Sequence, residues 1–197
     1  MASANLTFGC SVAVDGYWDV AEMARRAEAL GFDRIAMGEH VMDGNPPRPT
    51  LMNIPAMAAA AGATSTIRIM TGIVIVPLYH PVMLAKLTAT LDQVSNGRLD
   101  FGIGISGQRA TEIEFQALDI PVRTRGKRTD EMLDVMKRLW TEEHVSHSGR
   151  FFNFEDVTLL PQPIQKPYPP IWVAGRSDAA MRRAAITCDG WYPYLFT

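Results

Sequence analysis

Cysteine is scarce in this chain: Cys10 and Cys188 are the only two in 197 residues, far apart and without metal-type spacing. That excludes a disulfide framework and fits a reducing, cytoplasmic setting. None of the four histidines sits near a cysteine as a ligand pair, so no metal site is expected. Charge of one sign is lacking too. Nineteen Lys and Arg against 21 Asp and Glu leave a net charge of −2, which offers no pull toward nucleic acid or an anionic membrane. Long apolar runs are missing: the longest nearly apolar stretch, Ile69 to Leu78, is far too short to span a bilayer and reads as a buried strand. The start, Met1-Ala2-Ser3-Ala4-Asn5, has no charged segment followed by an apolar one, so no signal peptide is expected. No repeat or low-complexity tract marks a second domain, and no Ser-His-Asp or Cys-His set falls at usable strand ends, which disfavours covalent hydrolysis.

What is present is ordinary in bulk and regular in pattern. A hydrophobic fraction of 47% with 20% charged residues suits one folded domain, residues 1–197. Strand alternates with helix. Strands are expected at Leu6 to Val14, Arg34 to Gly38, Ile67 to Val76, Leu99 to Ile105, Ile171 to Ala174 and Trp191 to Phe196. Helices are expected at Tyr17 to Leu30, in an Ala-rich stretch from Pro55 to Gly62, from Pro81 to Asn96-Gly97, from Arg125 to Trp140, and after Ser177, with a short amphipathic piece at Thr111 to Leu118. Val145 to Phe152 reads as a hairpin turning at Ser148-Gly149. The proline-rich run Pro161 to Pro170 must be extended. Connections long enough for right-handed crossovers predict a parallel sheet. The fold class is therefore α/β, a TIM-type (β/α)8 barrel present as about six βα units and incomplete at its C-terminus. A fragment of a longer protein is the favoured account of that length. The open outer strands also suggest a homodimer.

Parallel α/β proteins build their sites at the carboxyl ends of strands. Those ends carry His40 after Glu39, Thr71-Gly72-Ile73, Gly104 with Ser106, and Ala174-Gly175-Arg176-Ser177. His40 is the candidate acid or base, because imidazole titrates near working pH. Glu39 tunes it or is merely solvated. Gly102 to Gly107 has the G-x-G-x-x-G spacing, but a dinucleotide site needs the strand to turn directly into a helix. The glycines are better explained as a flat seat for a planar ring. Ala174 to Ser177 ends a strand and opens a helix, which favours a phosphate, although Ser177 also suits a plain N-cap. Asp15, Gln108 and Arg109 are further rim candidates. Met37, Met70 and Met83 read as core filler.

The chain resembles the bacterial luciferase-like flavin and deazaflavin oxidoreductases. The likeness lies in Gly31 to His40, Thr71 to Pro77 with His80-Pro81, Leu91 to Gly104, Gly149-Arg150-Phe151-Phe152, Pro170 to Gly175, and Cys188-Asp189-Gly190-Trp191. It implies a barrel binding coenzyme F420, or alternatively FMN, at its carboxyl rim. Glu39, Thr71, Gly72, Ile73, Gly104, Ser106, Ala174, Gly175, Arg176 and Ser177 would hold the cofactor and His40 would act on a small organic substrate. The deazaflavin branch implies hydride transfer and a non-proline cis peptide at Gly72-Ile73. FMN implies a monooxygenase. A non-catalytic flavin-binding or inactive short barrel, and a nicotinamide dehydrogenase, are the rivals.

Overall fold

The computed structural model describes residues 6–12, 19–42, 46, 48–107 and 112–193. Six parallel strands follow the order β1 (Gly9–Ser11), β2 (Arg34–Met37), β3 (Arg68–Thr71), β5 (Leu99–Gly104), β8 (Ile171–Ala174) and β9 (Gly190–Tyr192). A two-residue strand, β4 (Val74–Ile75), pairs with β5 beyond the end of β3. Helices α1 (Val20–Ala29), α2 (Asn53–Ala63), α3 (Pro81–Val94), α5 (Arg125–Thr141) and α6 (Asp178–Ile186) connect the strands, with a short α4 (Glu112–Ala117) after β5. An antiparallel hairpin, β6 (Val145–Ser148) and β7 (Asn153–Val157), follows α5.

Period-2 alternation along the strands sorts side chains into two layers. Ile35, Met37, Ile69, Leu99, Phe101, Ile103, Ile171 and Val173 face the helices and are almost fully buried with Leu84, Met132, Met136 and Trp140. The alternate residues face inward. The sheet curls strongly: Arg34 on β2 stacks on Trp172 of β8 at 5.0 Å, across two intervening strands. The base of the lumen is filled by charge. Asp100, buried, accepts from Arg34 Nε at 2.8 Å and from Arg68 Nε and Nη2 at 3.0 and 2.6 Å. These residues lie toward the amino ends of their strands, where a barrel keeps its stabilising groups.

Local chemistry explains several boundaries. Asp19 caps α1 by accepting from the Glu22 N–H at 2.9 Å, so that helix begins at Val20 rather than at the expected Tyr17, which lies outside the described residues. The first strand is three residues long, not Leu6 to Val14, and the last is described only to Tyr192. Gly31 (φ +80°) and Asn96-Gly97 (φ +54° and +75°) take the left-handed conformation that ends α1 and α3.

The expected continuous strand Ile67 to Val76 is broken. Gly72 N–H still donates to Met37 O of β2 at 2.7 Å, whereas Ile75 N–H turns to the Glu39 carboxylate at 3.0 Å. The chain thus leaves β2, joins β5 through β4, and enters a 3₁₀ turn at Val76–Leu78. The Gly72-Ile73 peptide bond between these pieces is cis, as the resemblance implied.

The Gly149-to-Phe152 motif has a structural role. The N–H groups of Arg150, Phe151 and Phe152 converge on Glu131 of α5 at 3.0–3.2 Å, and His147 Nε2 lies 3.1 Å from the same carboxylate. A Cβ on Gly149 would stand 2.2 Å from Glu131 Oε1, so glycine lets the turn close over the carboxylate.

Glu28 performs a similar task at the α2–β3 turn, accepting from the N–H groups of Ser65, Thr66 and Ile67 at 2.6–3.0 Å. The Ile67 and Thr66 N–H donors hold its pKa at about 2, against 4.5 for an ordinary glutamate. Between those values the unfolded chain takes up a proton that the folded chain refuses. Glu28 therefore stabilises the fold above pH 4.5, and its contribution disappears as pH falls toward 2. Urea unfolding across this range should show a steep loss of stability for the wild type and a shallower one for Glu28→Gln. Equal slopes would contradict the assignment.

Candidate active site at the carboxyl rim

Because every pairing among β1, β2, β3, β5, β8 and β9 is parallel, their carboxyl ends share one rim. His40, Gly72, Gly104, Ser106 and Gly175 all follow or end these strands on that side. Cross-sheet contacts bring the ends together. A Cβ on Gly72 would lie 3.0 Å from Ala36 Cβ and 3.6 Å from the Tyr192 hydroxyl, and one on Gly38 would lie 3.3 Å from Gly72 O. Tyr192 Oη of β9 thus reaches the bulge after β3 across the mouth of the curl. Trp191 Nε1 donates to Gly175 O at 2.7 Å, joining the ends of β8 and β9.

Glu39 and His40 point to different neighbours. Glu39 is 3% exposed and accepts from Ile75 N–H, from Asn53 N–H at 3.3 Å and from the Tyr79 hydroxyl at 2.9 Å. Burial pushes its pKa up; the Ile75, Tyr79 and Asn53 donors act in the opposite direction, and the nearby Glu114 adds to the rise. The Tyr79 phenol is pushed up in turn, by burial and by the Glu39 charge. Asn53 Nδ2 also donates to Met37 O. Glu39 is thus not solvated: it ties the end of β2 to β4 and to the start of α2. His40 instead turns to α4, where its Nδ1 lies 3.2 Å from Glu114 Oε2. Its side chain is 25% exposed, whereas that of Glu114 is wholly buried.

Thr71 is buried and its hydroxyl donates to Gly102 O at 2.8 Å, which ties β3 to β5. Gly102 and Gly104 are not an open seat. A Cβ on Gly102 would fall 1.8 Å from Thr71 O, and one on Gly104 would fall 2.5 Å from Ile73 Cδ1. The close approach of β3 and the Ile73 side chain fill that space. Ile105 to Gly107 are not helical, and residues 108–111 that follow lie outside the described residues. Met37 and Met70 are buried, but Met83 is exposed.

The rim residues that keep access are His40, Gly72, Ile73, Ser106 (φ +54°), Ala174, Gly175, Arg176 and Ser177. Gly175 (φ +116°) turns β8 into α6, and Ser177 caps that helix by accepting from Ala180 N–H at 3.3 Å. The cap leaves the first-turn N–H groups of Asp178 and Ala179 directed out of the helix start. Asp15, Gln108 and Arg109 lie outside the described residues.

The residues present fit a planar cofactor. Arg34, Arg68, Asp100 and Trp172 fill the base of the lumen, and Ala36, Gly38, Gly72 and Ala174 leave its top shallow. A side chain at Gly72 would fill the space between Ala36 and Tyr192. A separate cleft of about 390 Å³ lies outside the sheet, between the starts of α1 and α2, and is lined by Val20, Leu51, Met52, Pro55 and Ala59. Its one titratable group, Asp19, caps α1. Among the described residues no helix is long and apolar enough to cross a membrane, and no cluster of three metal-type ligands occurs.

Sequence reasoning missed Glu114 and Tyr192. Glu114 lies in the short amphipathic piece, but nothing in its spacing links it to a residue 74 positions earlier.

A curled, mostly parallel sheet with its strand ends gathered on one rim defines a barrel-type α/β fold. Residues 6–197 match the luciferase-like monooxygenase model, and the chain belongs to that family. It is 37% identical over 161 residues, 81% of its length, to the oxygenase component of a flavin-dependent trigonelline monooxygenase from Acinetobacter baylyi. It is 30% identical over 181 residues to an FMNH2-dependent dimethylsulfone monooxygenase from Pseudomonas putida, covering 89% of this chain. These matches span 43% and 48% of the two relatives, so the chain spans less than half their length. A solved F420-dependent secondary alcohol dehydrogenase, in complex with an F420–acetone adduct, superposes with a TM-score of 0.81 at 26% identity, covering 95% of this chain and 57% of that one. The family is one of oxidoreductases acting on small molecules, and a flavin-type cofactor suits it.

Proposed function

We propose that the rim binds FMN and that the chain provides the oxygenating half of a reduced-flavin monooxygenase. The observation that carries the choice of FMN is the 37% identity to a flavin-dependent oxygenase component over 81% of the chain. The F420-dependent neighbour is less similar, at 26%. A bound reduced flavin supplies the activation of oxygen. The chain supplies position and proton handling. Ala36, Gly38, Gly72 and Ile73 seat the ring plane, and Ser106 lines its edge. Gly175 to Ser177, at the start of α6, take the phosphate with Arg176 as a charge-assisted donor. His40 stands beside the mouth as proton donor or acceptor. The small-residue rim selects a flat substrate or a compact one, since the filled base leaves no deep pocket.

Hydride transfer with F420 is the second reading, supported by the close superposition on the alcohol dehydrogenase. Titrating the purified chain with FMN and with F420, followed by ring fluorescence, separates the two. FMN binding without F420 binding supports the proposal. F420 binding alone reverses the choice, and binding of neither favours a non-catalytic barrel.

A further inference from the structure

Pleat alternation puts Tyr192 inside the curl. On β9, Gly190 pairs with Trp172 and Tyr192 with Ala174, so these two residues share the face of their β8 partners. Trp172 marks that face as the inward one. Its ring meets Arg34 of β2 and lies against Gly190, where a Cβ would fall 2.4 Å from Trp172 Cε3. Tyr192 therefore stands two residues above Gly190, toward the mouth. From there its side chain crosses the lumen. The hydroxyl lies 3.6 Å from the position a Cβ on Gly72 would take, and that position is 3.0 Å from Ala36 Cβ. Ala36, Gly72 and Ala174 carry at most a methyl group, and the phenol spans the space between them as the floor of the mouth.

A tyrosine hydroxyl withdrawn from bulk water ordinarily meets a protein partner. Tyr79 is such a case, donating to Glu39 Oε2 at 2.9 Å. Tyr192 is half-buried as well, yet among the described residues its hydroxyl makes no hydrogen bond. It faces Ala36 and Gly72, whose side chains have no polar atom to offer. A donor left open in the middle of the seat is placed for a ligand.

We propose that Tyr192 is a cofactor-contacting residue, its phenol forming the floor of the ring seat and its hydroxyl donating to a carbonyl oxygen on the ring's polar edge. This rests on the reading that the rim binds a planar redox ring. Flavins and deazaflavins share that carbonyl-bearing edge, and a phenol is a competent donor to it.

The arrangement separates binding from stability. Tyr192→Phe keeps the floor and removes no hydrogen bond within the protein, so the urea unfolding midpoint should stay where it is. Binding loses one neutral hydrogen bond, and the dissociation constant for FMN should rise about 2- to 10-fold. Tyr192→Ala also removes the floor and should weaken binding further.

The test is fluorescence titration of the wild type and the Phe variant with FMN, together with the infrared carbonyl bands of the bound ring. The proposal requires weaker binding in the variant, a carbonyl band shifted to higher frequency, and an unchanged urea midpoint. A wild-type dissociation constant in Tyr192→Phe overturns it, and so does an unmoved carbonyl band. A urea midpoint that falls in the variant also overturns it, because the hydroxyl would then serve the fold. If F420 binds in place of FMN, the same loss and the same band shift are required with F420. A wild type that binds neither ring defeats the binding reading and the proposal together, whereas a ring bound equally well without the hydroxyl defeats the proposal alone.

Discussion

His40→Ala is expected to lower kcat by about 10²- to 10⁴-fold, the usual worth of a placed acid or base, while FMN affinity stays nearly unchanged. The two effects separate because the residues differ in place. The proposed ring seat is made by Ala36, Gly72 and Ile73 and the phosphate site by Gly175 to Ser177, whereas His40 is held from outside the sheet by Glu114 of α4. Truncating the imidazole removes no part of the seat. Stopped-flow or steady-state kinetics on a substrate that the wild type turns over, with reduced FMN supplied, reads the first quantity; fluorescence titration reads the second. Equal kcat in variant and wild type would take His40 out of the chemistry. A parallel collapse of FMN affinity would instead make it part of the seat.

Asp100→Ala should destabilise the fold by about 3 kcal/mol, as expected when one partner of a buried ionic cluster is removed. The carboxylate is the shared acceptor for Arg34 and Arg68 in the lumen, with a 3% exposed side chain. Without it, the Arg34 and Arg68 guanidinium groups lose their shared carboxylate at the base of the curl beneath Trp172, and Arg68 keeps only the charge of Asp92 nearby. The side chains of Arg34 and Arg68 keep 21% and 34% exposure, which places the effect at the lower end of the range for buried pairs. Urea unfolding with the slope held common to both proteins measures it. A loss below about 1 kcal/mol would mean that water already screens the cluster and that apolar packing alone holds the base.

Much of the fold was legible because its signals are local. Apolar stripes located α3 and α5, with Met132, Val135, Met136 and Leu139 facing inward as expected, and Asn96-Gly97 marked the end of α3. The break in the third strand was only half legible. Glycine at position 72 signalled a bulge, but the pull of Glu39 on Ile75 N–H joins residues 36 positions apart. Buried polar contacts of that kind leave no periodic trace. The same reason explains the site. His40 was recognisable from its place after a strand, whereas Glu114 is defined only by the fold that brings α4 against the β2 loop. Thr71 and Glu39 were named through the family resemblance, and their own neighbours, Gly102 O for the one and Ile75 N–H and the Tyr79 hydroxyl for the other, left no trace in the sequence. The glycines of β5 misled. They make room for Thr71 O and Ile73, not for a ligand.

The central claim is that one rim, built from the ends of β2, β3, β5 and β8, receives the flavin. Mapping amide and imidazole chemical shifts of the 197-residue chain during addition of FMN tests it most directly. The account predicts that Gly72, Ile73, Ser106, Gly175, Arg176 and the His40 ring shift together and saturate at one concentration, while Glu28 and the turn Ser65 to Ile67 that it holds before β3, at the opposite end of the strands, stay still. Shifts confined to the cleft between α1 and α2, with the rim unmoved, would contradict it.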